Sequence, residues 1–332
     1  MKKAVFMGDR GNISRVYAAT AEKLAEELEF TAPLYDRAEL RTRSEELRDV
    51  SYIFSTWGMW RLSESEIKEI FPALEAVFYA AGSVQGFARE FLSAGVSVYS
   101  AWAANGIPVA QFTAAEIMLA LKGFYSSAHH GCGSTWDNHN GSNAFPGIME
   151  AKVGIIGAGM IGRLVAESLR TLPIELLIYD KFTDEDGIAA LGGRKASLEE
   201  IFSECDVISN HLANVPATVG MLSYELFSKM REHAVFINTG RGAQIDGDGL
   251  IRALTEVGTR TALLDVTDPE EPPRPGSPLY TMKNVWLTPH IAGSMGNEIH
   301  RMAEFMYEEY MSISRGEPTR YSVSMKMLET MA

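Results

Sequence analysis

The stretch that most constrains what this chain can fold into is Val153-Gly154-Ile155-Ile156-Gly157-Ala158-Gly159-Met160-Ile161-Gly162. A short apolar run without a polar break reads as a buried strand. Three glycines follow at G-x-G-x-x-G spacing, and apolar residues then recur at Ile161, Leu164, Val165, Leu169 and Leu172, the period of a helix. Of Gly157, Gly159 and Gly162, one lets the turn form, one lets backbone approach a pyrophosphate and one lets the helix pack on the strand. The helix start at Met160 and Ile161 offers unpaired N–H groups to the phosphates. A second apolar run, Leu176 to Tyr179, ends in Asp180, where an acid is expected to meet a ribose hydroxyl pair. The expected ligand is a dinucleotide. The charge of Asp180 disfavours a 2′-phosphate, hence NAD over NADP, although Lys181 lies next to it.

The rest of the composition excludes other classes. A chain of 332 residues has room for about two domains, and 30 basic against 43 acidic residues leave a net charge of −13. That surface repels nucleic acid and anionic lipid, and no long Lys/Arg run offsets it. No stretch of about 20 apolar residues is present, so no membrane span is expected. Lys2 and Lys3 precede Ala4 to Met7, but Gly8-Asp9-Arg10 interrupts before a signal-peptide core can form. Cys132 and Cys205 form no C-x-x-C pair, which fits two reduced thiols in a cytoplasmic protein rather than a disulfide framework. His129, His130 and His139 lack carboxylates or thiols at metal-ligand spacing, so no metal is expected.

Short apolar runs alternate with helical stretches along the whole chain. Expected strands are Ala4–Met7, Tyr52–Ser55, Ala76–Ala80 and Val96–Tyr99, with helices over Ser14–Leu28 and Ser63–Phe71. A second series holds Val153–Ile156, Leu176–Tyr179, Val207–Asn210, Val235–Asn238, Ala262–Val266 and Val285–Leu287. This alternation predicts an α/β architecture with parallel sheets, the second being a Rossmann-type doubly wound sheet. Between the series lie a long apolar helix, Ala110 to Tyr125, and an aperiodic segment, Ser126 to Pro146. A last helix, Glu298 to Arg315, stops at Gly316-Glu317-Pro318. The turn Gly8-Asp9-Arg10-Gly11-Asn12 also joins a strand to a helix, but it lacks the third glycine and the distal acid.

Hydride transfer at a carbinol carbon needs a proton donor and acceptor, a group that tunes it and a cation for the substrate oxygens. The second series supplies these at strand ends. Arg241, in Asn238-Thr239-Gly240-Arg241-Gly242, projects at the sheet's carboxyl edge and can grip a carboxylate with two prongs. Asp265-Val266-Thr267-Asp268-Pro269-Glu270 ends another strand, and Thr288-Pro289-His290-Ile291-Ala292-Gly293 the last. A carboxylate bonded to such an imidazole favours its protonated form.

Together these strings resemble the D-isomer-specific 2-hydroxyacid dehydrogenase family over roughly Ala80 to Met295. The resemblance implies that Arg241 binds substrate, His290 is the general acid/base and Glu270 tunes it. It implies that Ala81, Gly82 and Ser83 form the backbone loop for the substrate carboxylate, and that Asn105 lies near the cleft. His211-Leu212-Ala213-Asn214-Val215-Pro216-Ala217-Thr218 is similar to the family's cofactor-side turn, with Ala213 where proline is usual. The resemblance also places Thr239 and Gly240 at the cofactor and Asp265 at the nicotinamide amide. Ser83-Val84-Gln85-Gly86 departs from the usual substrate loop, and Trp57 offers a wall for specificity. It further implies a flavodoxin-like α/β substrate domain made of 1–102 and 296–332, an NAD-binding Rossmann domain of 103–295, and a homodimer built on Val109 to Pro146. The reading is an NAD-dependent oxidoreductase for a small 2-keto or 2-hydroxy acid. Its rival is a non-catalytic NAD(H)-binding sensor or scaffold, which need not keep Arg241, Glu270 and His290.

Overall fold

The strands run in chain order as β1 (Lys3–Phe6), β2 (Glu29–Phe30), β3 (Val50–Ser55), β4 (Ala76–Tyr79), β5 (Ser97–Ser100), β6 (Lys152–Ile156), β7 (Glu175–Tyr179), β8 (Arg194–Lys195), β9 (Val207–Asn210), β10 (Val235–Asn238), β11 (Thr261–Leu264), β12 (Val285–Leu287) and β13 (Ser322–Val323). They come from a computed structural model that describes residues 1–130, 144–269 and 271–329, with the side chains of 128–130 excepted. Glu270, Cys132, His139 and most of the 126–146 segment lie outside the described residues. The chain divides into two units, Met1–Gly106 with Ser294–Ala332, and Ile107–Gly293. These division points lie within four residues of the expected 102/103 and 295/296, and the helix Trp102–Leu121 spans the first of them.

In the first unit the sheet order is β2-β1-β3-β4-β5-β13, parallel except for β13. Its first five strands follow the flavodoxin-like order 2-1-3-4-5. Alternate residues of each strand face opposite sides. Ile53, Val77 and Val98 enter one core, while Tyr52, Phe54, Phe78 and Tyr99 enter the other. On that second side Phe54 stacks on Phe78 at 4.8 Å and Phe78 on Tyr99 at 5.3 Å. The helix Ile299–Arg315 covers these rings with Met302, Met306 and Tyr310, so the last part of the chain returns to the first unit. The expected helix over Ser14–Leu28 is in fact two, Arg10–Val16 and Ala21–Glu27.

In the second unit the order is β8-β7-β6-β9-β10-β11-β12, all parallel. Renumbered from β6, this is 3-2-1-4-5-6 with one further edge strand, the doubly wound order whose switch point lies between β6 and β9. Val153, Ile155, Val235 and Ile237 fill one face, and Ile156, Ile208, Phe236 and Leu264 the other. The helix expected over Ala110–Tyr125 begins earlier, at Trp102, carries Pro108 inside it and ends at Leu121, and a second helix spans Phe124–His130. No helix is long and apolar enough to cross a membrane among the described residues.

Candidate active site

At the switch point of the second unit the glycine turn is shaped by close approach. Gly157 has a φ of +97°, and a Cβ there would lie 2.8 Å from the His211 carbonyl oxygen. A Cβ on Gly162 would run into the Gly157 carbonyl, so the helix Met160–Leu169 packs on the turn only without one. Gly159 differs: nothing lies within 4 Å of its Cβ position. It opens the helix as an N-cap without a side chain, so no capping side chain takes up the N–H groups of the helix's first turn, which begins at Met160 and Ile161. This cradle fits a pyrophosphate.

Asp180, at the end of β7, accepts from the N–H groups of Ala158 (2.8 Å), Phe182 (2.9 Å) and Thr183 (2.8 Å). Burial pushes its carboxyl up, but these backbone donors outweigh burial and hold it below the usual carboxylate range. Asp180 therefore fastens the glycine turn to the neighbouring strand. With the Thr183 hydroxyl, which also bonds this carboxylate, its roughly four acceptor positions are used before any ribose is considered.

The next turn leaves β9. His211 bonds Ser209 Oγ through Nε2 at 2.9 Å, and burial lowers its ring to about 4, so it is neutral near pH 7. The Leu212 N–H donates to Asn210 Oδ1 at 3.2 Å. Thr218 closes the turn, donating to the Ala213 carbonyl at 2.6 Å and accepting from the Val215 N–H at 3.2 Å.

After β10 the chain bends through Thr239, Gly240 and Arg241. Thr239 is buried and shares a 2.8 Å hydroxyl contact with Thr113. Arg241 is half-buried, and its Nη1 donates to the Gly240 carbonyl at 2.7 Å. Burial lowers its guanidinium from the ordinary range, and the carboxylate of Glu271 works against that.

Asp265, just past β11, is 3% exposed and accepts from Thr288 Oγ1 (2.6 Å), the Ile291 N–H (2.8 Å) and the Ala292 N–H (2.9 Å). The His290 N–H in turn donates to the Asp265 carbonyl at 3.1 Å. These bonds hold His290 at a φ of +54°, a left-handed conformation that a non-glycine residue seldom adopts unaided. The ring stands out from the loop with 47% of the side chain exposed, and its Nδ1 meets Glu271 Oε1 at 2.5 Å. The acid on His290 is thus Glu271. Glu270, the tuning acid that the family resemblance implies, is outside the described residues. Behind Asp265, Glu116 is 8% exposed with no partner for Oε2. Burial first and the charge of Asp265 second push its carboxyl up to about 8.

The remaining expected residues belong to the first unit. Ser100 Oγ lies 3.0 Å from the Ala81 carbonyl and 2.7 Å from that of Gly82, which pins the loop leading to Ser83. Asn105 Nδ2 would be 3.2 Å from a Cβ on Gly82, and its Oδ1 accepts the Ser294 N–H at 3.0 Å. Trp57 packs against both cores, and its carbonyl accepts from Asn12 Nδ2 at 3.2 Å.

Sequence reasoning missed Glu271, Glu116 and the buried amides of Asn210, Asn238 and Gln244. Polar residues in or closing apolar runs are the signal that was there for Asn210, Asn238 and Glu116, while nothing in the loop around Gln244 marks it.

A model of the D-isomer specific 2-hydroxyacid dehydrogenase NAD binding domain matches residues 115–292. The D-3-phosphoglycerate dehydrogenase of Archaeoglobus fulgidus is 27% identical over 237 residues, covering 71% of this chain and 44% of that protein. The glyoxylate reductase of Korarchaeum cryptofilum is 35% identical over 165 residues, or 50% of this chain and 49% of that one. The chain thus matches about half the length of these curated relatives. Among solved structures, apo D-mandelate dehydrogenase of Rhodotorula graminis is 20% identical with a TM-score of 0.81, each chain being 98% covered. That is a likeness of fold.

Proposed function

Since the chain belongs to the D-isomer specific 2-hydroxyacid dehydrogenase family, we propose that it interconverts a small D-2-hydroxy acid and its 2-keto acid with NAD as cofactor. The observation that carries this is the 2.5 Å bond between His290 Nδ1 and Glu271, on the same sheet edge as Arg241. A pure cofactor sensor has no need of an exposed imidazole paired with a carboxylate.

When bound, NADH supplies the hydride to the keto carbon. Gly157, Gly159 and Gly162, with the N–H groups at Met160 and Ile161, hold the pyrophosphate. Asp180 stands at the ribose, while Leu212, Ala213, Thr218, Thr239, Gly240 and Asp265 line the cofactor's side. Arg241 grips the acid's carboxylate and polarises its carbonyl. Glu271 holds Nδ1 of His290 and stabilises the imidazolium, so the proton on Nε2 passes to the carbonyl oxygen. Reduction consumes one proton, and oxidation returns it to the same ring. Of the first unit's residues, the family resemblance assigns Ala81, Gly82 and Ser83, with Asn105 and Trp57, to the acid, and Ser100 pins the Ala81-Gly82 part of that loop. The exposed Met118, Leu119 and Phe124 supply apolar surface for a homodimer.

A panel of 2-keto acids followed by NADH absorbance tests the reading. Turnover of at least one acid is expected, falling by roughly 10²-fold or more in His290→Ala while NADH still binds. Tight NADH binding without turnover of any acid would overturn it in favour of a sensor.

A further inference from the structure

Three buried side-chain amides lie where β9 and β10 end. Asn210, Asn238 and Gln244 are each 0% exposed. The two hydrogens of Asn210 Nδ2 go to Asn238 Oδ1 (3.0 Å) and Gln244 Oε1 (3.0 Å). Gln244 Oε1 also accepts the Arg241 N–H at 3.1 Å, and Asn238 Nδ2 donates to the Arg241 carbonyl at 3.0 Å. Asn238 Oδ1 takes the Gly240 N–H at 3.1 Å as well. A backbone N–H can only donate, so the contact with Arg241 fixes which atom of Gln244 is the oxygen.

Both polar atoms of the Arg241 backbone are therefore held by side chains, beyond the reach of the strand ladder. The guanidinium folds back onto Gly240, whose own N–H is tied to Asn238, so its aim follows from the same amides. Asn210 reaches the other way too, through Oδ1 to the Leu212 N–H of the cofactor-side turn. Burying three amides is unfavourable, and here it leaves Gln244 Nε2 buried without a partner. Leucines of similar volume would avoid that penalty, so stability alone does not account for these residues.

We propose that Asn210, Asn238 and Gln244 are positioning residues: they set the Arg241 backbone for the substrate and, through Asn210, join it to the cofactor-side turn. The proposal rests on the reading of Arg241 as the substrate-binding cation. Gln244 acts on the Arg241 side alone, whereas Asn210 acts on both turns.

The test uses Gln244→Leu, Asn210→Leu and Gln244→Glu in the full chain, the last keeping an oxygen at Oε1. Hydrogen exchange of the segment 239–243 is measured beside KM for glyoxylate and Kd for NADH. Gln244→Leu is expected to speed exchange in that segment and raise KM roughly 10- to 100-fold, with NADH affinity within about twofold of the parent. Asn210→Leu is expected to weaken both, and Gln244→Glu to restore slow exchange and most of the KM. Should Gln244→Leu fail to fold, Asn210→Ala carries the same exchange test. Unchanged exchange in 239–243 overturns the proposal, as does a loss of NADH affinity equal to the loss for the acid in Gln244→Leu. If the parent reduces no acid, the functional reading falls, while the exchange result still decides what the amides do.

Discussion

Glu116 is buried in the second unit with one oxygen unpartnered, and its carboxyl is pushed up from 4.5 to about 8, by burial first and by Asp265 second. In the unfolded chain the same group ionises near its ordinary value. Between pH 4.5 and 8 the folded protein thus holds a proton that the unfolded chain has released, and stability falls as pH rises through that window. Each pH unit well inside it removes about 1.4 kcal/mol, so the loss between pH 5 and pH 7.5 comes to about 3 kcal/mol. Glu116→Gln keeps the shape and cannot titrate. The stability of the variant minus that of the parent is therefore expected to grow by about 3 kcal/mol over that interval, a relative rise in Tm of roughly 6 to 12 °C for a domain of this size. Calorimetric scans of both proteins at half-unit steps from pH 5 to 8 measure it, and groups common to the two cancel in the difference. Parallel curves would refute the reasoning, since they would mean that Glu116 ionises alike in both states.

Other substitutions separate the parts of the site. Glu271→Gln keeps an oxygen for His290 Nδ1 but removes the charge, and kcat for keto-acid reduction is expected to fall roughly 10- to 100-fold. Glu270→Gln is expected to leave kcat within about twofold, and a larger effect there would return the role to the residue that the family resemblance implies. Asp265→Ala frees Thr288 and the N–H groups of Ile291 and Ala292, so kcat is expected to drop by roughly 10² with NADH affinity changing less, as measured by fluorescence titration. Asp180→Ala should lower the preference for NADH over NADPH, read as a ratio of kcat/KM values, and should loosen the turn at Ala158; an unchanged ratio would rule out Asp180 as the selecting charge.

Much of this was legible in the sequence because the decisive signals are local. Apolar runs such as Val153–Ile156 and Val235–Asn238 are buried on both faces, and the glycine spacing announces its own turn. The two-residue strands β2, β8 and β13 are defined only by what they pair with, so no pattern marks them. The helix expected from Ala110 begins at Trp102, because Pro108 lies within its second turn, where the missing N–H and the ring are tolerated more readily than deep in a helix. Glu270 and Glu271 are both acids beside prolines. Which of them reaches His290 depends on the path of the backbone after Asp265, and spacing cannot supply that path.

Many of the buried polar residues of the second unit gather at one edge of its sheet, while Arg260, before β11, bonds the Met230 and Ser228 carbonyls at the other. Asn210 and Asn238 close β9 and β10, Asp265 follows β11, and Thr239 and Gln244 lie in the loop between. The preceding residues of these strands are apolar apart from Ser209 and Thr261, so the sheet is held by its interior and the polar atoms fall at its carboxyl edge. Asn210, Asn238, Gln244 and Asp265 each tie a loop that carries Arg241, His290 or the cofactor-side turn, and Thr239 ties its own loop to Thr113. Burial and the charge of Asp265 push the Glu116 carboxyl behind them up to about 8, so near neutral pH it sets no negative charge against Asp265. An ionised Glu116 would set a second carboxylate against Asp265 and weaken the bonds that keep His290 in its left-handed turn. Rising pH should therefore loosen the histidine loop before it unfolds the sheet, and the protection of the Ile291 and Ala292 amides, taken relative to the base-catalysed intrinsic exchange rate at each pH, should fall above pH 8 in the parent but not in Glu116→Gln.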